Sequence, residues 1–263
     1  MSNIIRADIY SIVRGKALYV TFALIMIFHI ITIGTQSAGG ITIGGAGNLG
    51  MEIPEVGFDG IRSASFLYSQ MDTMAFFLLP LIILAAAPIF SNQTVKNDIA
   101  WGISRTKLYM SKLAIAIGLC VLMVLFHMGV GMAFATLLHG WGGITPDGFW
   151  LGLLQTVGAQ LVMLIALTCI GAFLIFTFRR TAIVNGAYIA FYLIPSMLLS
   201  FFHSQGFNVT RLLDFDIMSG INRLGFLSQL ETYSILTILG VGAAYIVVTT
   251  VAGIILFKRA EIK

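Results

Sequence analysis

The sequence predicts an all-α membrane protein, one domain over residues 1–263, built as a bundle of six transmembrane helices. Three observations predict it. The chain is 58% hydrophobic and only 10% charged, where soluble domains carry about 25% charge, and its mean hydropathy is +0.96. Its charges divide it into six long charge-free runs. Its lysines and arginines gather at alternate ends of those runs, as a chain that crosses a bilayer back and forth requires.

The runs are Ala17–Met51, Thr73–Val95, Leu113–Pro146, Gly148–Phe178, Thr181–Thr210 and Thr232–Phe257. A helix rises about 1.5 Å per residue, and about 20 residues cross a hydrocarbon core of about 30 Å. Each run therefore holds one span and is too short for two with a turn. Spans are expected over residues 17–35, 72–90, 112–137, 149–177, 181–201 and 234–257. The second half of the first run is Gly-rich and leaves the membrane. The fourth and fifth spans are separated only by TFRRT, which reads as a tight turn at Arg179 and Arg180.

Six spans put both termini on one side. That side, with the 91–111 loop and the 179–180 turn, carries twelve of the fifteen basic residues, among them Arg6, Arg14, Lys16, Lys96, Lys112 and Arg259. It carries three of the eleven acidic residues, Asp8, Asp98 and Glu261, for a net charge of +9 against −5 opposite. The positive-inside rule makes the basic face cytoplasmic. The basic residues hug the ends of apolar spans, as topology alone requires, so the net charge of +4 does not imply a nucleic-acid partner.

Three shorter stretches add detail. Residues 1–16, MSNIIRADIYSIVRGK, set Ile4, Ile5, Ile9, Ile12 and Val13 mainly on one helical face and read as an amphipathic helix in the cytoplasmic interface. Residues 36–71 open with SAGGITIGGAGNLG, which lacks the spacing and lysine of a phosphate loop and reads as a flexible external loop. Residues 202–233 are external and mix apolar with charged residues, as in short helices lying on the outer surface or dipping into the bundle.

Candidate reactive groups are few. His29 and His127 fall within spans with no carboxylate at helical spacing, and read as neutral rings bonded to a neighbouring helix. Cys120 and Cys169 read as buried thiols. No HExxH motif, Asp-rich metal motif or Ser/His/Asp arrangement is present, so no catalytic residue, cofactor or metal site is expected in this chain. Pro80, Pro88 and Pro195 read as bends, either hinges or static kinks. No filter repeat or mid-span charge supports a channel or an ion-coupled carrier.

The polar stretch between the second and third spans is longer than a turn needs. Residues 91–111 contain VKNDIAWGISRTKLY, where Ile99, Trp101 and Ile103 offer apolar contact among Lys96, Asp98, Arg105 and Lys107. Gly102 permits a turn. A tryptophan among charges suits an interfacial belt or a protein groove equally.

These residues carry a resemblance. The span ending at Phe90, then NDIAWGISRTKLYMSKL with Gly102, Arg105, Tyr109 and Lys112, the opening IIRADIYSIVRGKALY and the ending ILFKRAEIK together resemble the permease subunits of type-2 ABC exporters (ABC-2), in the branch of bacitracin-transport and lantibiotic-immunity permeases. The resemblance implies a six-helix ABC-2 permease bundle with an N-terminal elbow helix at 1–16 and short external helices before the last span. It implies that the 91–111 loop is a cytoplasmic coupling helix docking on a separate ATPase through Asp98, Trp101, Gly102, Arg105, Lys107 and Tyr109. It further implies two ATPase subunits that bind ATP and Mg, a second permease subunit, identical or homologous, and a bacterial cell membrane around them. The implied cargo is a hydrophobic or amphipathic compound, an antimicrobial or other peptide first. Two other readings stay open: a secondary transporter or channel without an ATPase, and a noncatalytic membrane scaffold or sensor.

Overall fold

The computed structural model describes residues 2–36, 57–91 and 100–259, and every regular element in them is helical. In chain order these are α1 (Ser2–Arg14), α2 (Lys16–Gly34), α3 (Ser63–Ser69), α4 (Met71–Ala86), α5 (Pro88–Ser91), α6 (Arg105–His139), α7 (Phe149–Phe178), α8 (Thr181–Ser204), α9 (Ile217–Leu224) and α10 (Thr232–Arg259). Short 3-10 turns at Leu212–Phe215 and Leu227–Gln229 flank α9. Six stretches among the described residues are long and apolar enough to cross a membrane: α2, Met71–Phe90, α6, α7, α8 and α10. The chain is a multi-span, all-α membrane protein.

The six expected spans coincide with these six. The largest difference is α6, whose 35 residues reach about 50 Å, so it projects beyond a hydrocarbon core. Pro80 and Pro195 lie inside α4 and α8. The second span is interrupted at Ala87, just before Pro88, whose ring and missing N–H disfavour an unbroken helix.

α4 and α7 form the centre. Leu78, Leu81 and Ile82 of α4 and Met163, Leu167 and Ala172 of α7 are fully buried. α8 and α10 bury only narrow stripes, Val184, Tyr188, Tyr192 and Ser196 on one and Ile238, Gly242, Gly253 and Phe257 on the other. Their outward faces are apolar, as lipid contact permits. Gly242 lets α10 close on Met163 and Val162 of α7. Cys120 and Cys169 are free and buried.

Two stretches differ in detail from expectation, and a third decides between two alternatives. On α1, Ile5 and Ile12 pack towards the bundle while Ile9 and Val13 stay exposed, so its apolar residues serve two faces. Within 36–71, residues 37–56 lie outside the described residues, but the rest is not a loose loop. Gly60 N–H donates to the Gly140 carbonyl at 2.9 Å and Ile61 N–H to the Trp141 carbonyl at 3.1 Å. α3 follows with Phe66 and Leu67 buried, because two large apolar side chains gain more by packing than by hydration. Within 202–233, where the sequence allows both a surface helix and one dipping into the bundle, all eight residues of α9 are buried in the bundle.

Candidate functional site

The basic ends of the helices meet in one junction. Trp101 and Gly102 form a turn, with Gly102 at φ +80°, a left-handed conformation that favours glycine. Ser104 is extended and its Oγ accepts from the Lys107 N–H at 3.4 Å, capping α6. Trp101 is 87% exposed and Lys107 is exposed, while Ile103 packs against the core.

The next residues turn inward. Arg105 Nη1 donates to the carbonyls of Phe257 at 3.2 Å and Lys258 at 2.8 Å. These belong to the last turn of α10, whose unpaired carbonyls carry partial negative charge. Tyr109 is buried with its ring centre 4.7 Å from Phe176 and its phenol against Gly253. Phe176 meets Phe257 edge-on at 4.9 Å and Phe90 at 5.3 Å. The Arg179 guanidinium sits 5.9 Å from the Phe90 ring centre. Lys112 Nζ, nearly buried, pairs with Asp8 Oδ1 at 2.8 Å and ties α1 to α6. A cavity of about 300 Å³ opens beside the junction between Phe90, Ile175, Arg179, Arg180 and Val184.

The six residues singled out in the sequence thus fall into three groups. Trp101, Gly102 and Lys107 are on the surface of the turn. Arg105 and Tyr109 grip the end of α10. Asp98 lies outside the described residues.

The opposite end holds a buried polar cluster that sequence reading passed over. Asp72, at the start of α4, accepts at Oδ1 from the Thr73 N–H at 2.6 Å and at Oδ2 from Asn222 Nδ2 at 3.4 Å. Tyr192 and Tyr188 of α8 donate to the carbonyls of Asp72 and Ala75 at 2.8 and 2.9 Å. Gln160 of α7 donates to the carbonyls of Tyr68 at 3.0 Å and Ile221 at 2.9 Å. Asp216 caps α9, its Oδ2 accepting from Ser219 N–H at 2.8 Å and Ser219 Oγ at 2.6 Å, and burial pushes its carboxyl above the usual range. Arg223 forms a buried ion pair with Asp214. Asp72 stands one residue outside an apolar run, so it reads as a flank. The spacing of Asp216 and Ser219 was the one visible signal, a helix-capping pattern.

A cavity of about 940 Å³ lies over this end, lined by Arg211, Asp214, Arg223, Glu231, Tyr233 and others. Another of about 630 Å³ lies between α3, the start of α7 and residues 225–229, with Arg62, Tyr68 and Phe149 in its wall. No three of His, Cys, Asp and Glu converge among the described residues as a metal cluster. No model of a known protein family matches the chain, and no curated protein matches it.

Proposed function

We propose that the chain is the permease subunit of an ATP-driven exporter of the ABC-2 type, with the basic end in the cytoplasm. The observation that carries the reading is the exposed Trp101 on a turn whose following residues are seated on α10, Arg105 by hydrogen bonds to its last carbonyls and Tyr109 by packing against Gly253. An apolar ring held out in this way is suited to a groove on a partner, and a push on it is delivered to α6 and α10 together. The partner is an ATPase that binds ATP and Mg, two copies per transporter, and a second permease subunit completes the pair. Closure of the two ATPases draws the turns together, and the helices carry that motion to a path between the permeases. The cargo is a hydrophobic or amphipathic compound, an antimicrobial or other peptide first.

Co-purification with the ATPase, followed by ATP hydrolysis assays in lipid, tests this. Trp101→Ala is expected to insert and fold normally and to lower ATPase association at least several-fold. Unchanged association and coupling would remove the docking role from Trp101. Transport that persists with no ATPase present sinks the exporter reading.

One observation favours a second reading, an ion-coupled carrier. Asp72 and Asp216 are carboxylates buried within the bundle, the residue type that couples ions in such carriers. Transport driven by an ion gradient in vesicles without ATP, and lost in Asp72→Asn, is its signature.

A further inference from the structure

The seam between α2 and α6 holds a feature that the exporter reading does not use. His29 on α2 and His127 on α6 are both fully buried, with ring centres 4.8 Å apart and ring planes at 35°. His127 Nε2 lies 3.1 Å from the Leu67 carbonyl. A carbonyl only accepts, so Nε2 carries the proton and Nδ1 of the neutral ring is a bare lone pair. That Nδ1 and both ring nitrogens of His29 have no hydrogen-bond partner among the described residues. The main chain of His127 bears on the His29 ring without reaching bonding geometry. Buried polar atoms are nearly always paired, and an orphan marks a strained group or a missing water or ion. Here three orphans stand together on two metal-ligating side chains.

We propose that His29 and His127 form a binding site for one soft transition-metal cation, monovalent copper ahead of divalent ions, held by His127 Nδ1 and a ring nitrogen of His29. Two imidazoles on one ion that keeps a water as its third ligand, each with a metal–nitrogen distance of about 2.0–2.1 Å and a bent angle between them, put their ring centres about 5 Å apart, where a linear two-coordinate ion would set them more than about 6 Å apart; the observed 4.8 Å fits the bent arrangement. The bond from His127 Nε2 to a backbone carbonyl is the outer-shell contact that metal-bound histidines make to fix their tautomer. Imidazole takes copper, zinc and nickel alike. Charge chooses among them. No third acidic or thiol ligand joins the pair among the described residues. The cost of burying an uncompensated ion grows with the square of its charge, so a monovalent ion is the least penalised.

The test uses the full chain carrying a non-histidine affinity tag, in lipid nanodiscs. It is incubated with copper under reductant, with zinc or with nickel, desalted, and read by metal content and by Tm. About one copper per chain and a raised Tm are expected in the wild type. His29→Leu removes a ring that makes no hydrogen bond, so it is expected to fold, to hold no copper and to show no Tm response. His29→Asn serves the same purpose if the leucine variant misfolds. His139→Ala, nearer the helix ends, is expected to bind as the wild type does. Equal metal content in the wild type and the His29 variants, as when only a water fills the site, overturns the proposal. Uptake of zinc or nickel without copper overturns the choice of a monovalent ion. None of these outcomes depends on an ATPase.

Discussion

Gly253 is a tight point of the basic-end junction. A Cβ there would run into the phenol of Tyr109, with Cζ at 2.6 Å and Cε2 at 2.8 Å, and that ring is hemmed in by Phe176. Gly253→Ala is expected to destabilise the protein by about 1–3 kcal/mol, the usual range for overpacking, read as a lower Tm in detergent. Adding Tyr109→Phe removes the hydroxyl and should recover part of the loss. An unchanged Tm in Gly253→Ala would show that α10 does not close on α6 here. Asp8 and Lys112 make a second residue-scale case, because their exposures are unequal. The Lys112 side chain is 8% exposed and that of Asp8 24%. Removing Asp8 leaves an ammonium buried and unpaired, whereas removing Lys112 leaves a carboxylate on a more exposed side chain, although its Oδ2 is buried. Asp8→Ala should therefore cost more, about 3 kcal/mol, than Lys112→Met at about 1 kcal/mol. Equal losses in chemical denaturation would refute the asymmetry. In the sequence Lys112 was legible only as a charge flanking a span. Its partner is more than 100 residues away and leaves no local trace.

At the scale of elements, α9 is held by polar contacts as well as by the apolar stripe of Ile217, Met218, Ile221 and Leu224 that it buries in the core. Asp216 caps it, Asn222 reaches Asp72, and Gln160 holds the Ile221 carbonyl. Burial raises the Asp216 carboxyl above the usual value of about 4. The folded state then holds that proton more tightly than the unfolded chain does. The resulting stability is fully present below about pH 4 and is lost as pH rises through the raised value. Asp216→Asn keeps a capping side chain but cannot titrate. Its stability should vary less than that of the wild type between neutral pH and pH 4, and identical slopes would contradict the burial argument. The spans were legible because lipid demands about 20 apolar residues in a row, which a single sequence displays. For α9 the sequence offered a short helix either on the outer surface or dipping into the bundle, and the choice between them was not legible because its partners lie on α4 and α7. The candidate site divides the same way. An exposed Trp101 on a glycine turn could be read from its polar neighbours. The inward aim of Arg105 and Tyr109 could not, since their partners Phe257 and Gly253 come some 150 residues later on α10.

For the whole molecule, the helices alternate in direction, so every connection that carries several basic residues falls at one end. Arg105 touches the end of α10, Arg179 lies over Phe90, and Lys112 holds α1 there. Twelve lysines and arginines against three is a strong orientation signal, and it makes a definite prediction about sidedness. Single cysteines are introduced at Trp101 and Arg180 at the basic end, and at Ile144 and Phe207 at the other. Trp101 and Ile144 are 87% and 96% exposed, and the other two are exposed as well. The native thiols of Cys120 and Cys169 are buried and should add little background. In intact cells a membrane-impermeant maleimide is expected to label positions 144 and 207 alone, and positions 101 and 180 only after permeabilisation. The reverse pattern would invert the orientation and move Trp101 away from any cytoplasmic ATPase. Labelling of all four from one side would be incompatible with six crossings, because two antiparallel neighbours, α7 and α8, would then have to lie on the same side as both of their connections.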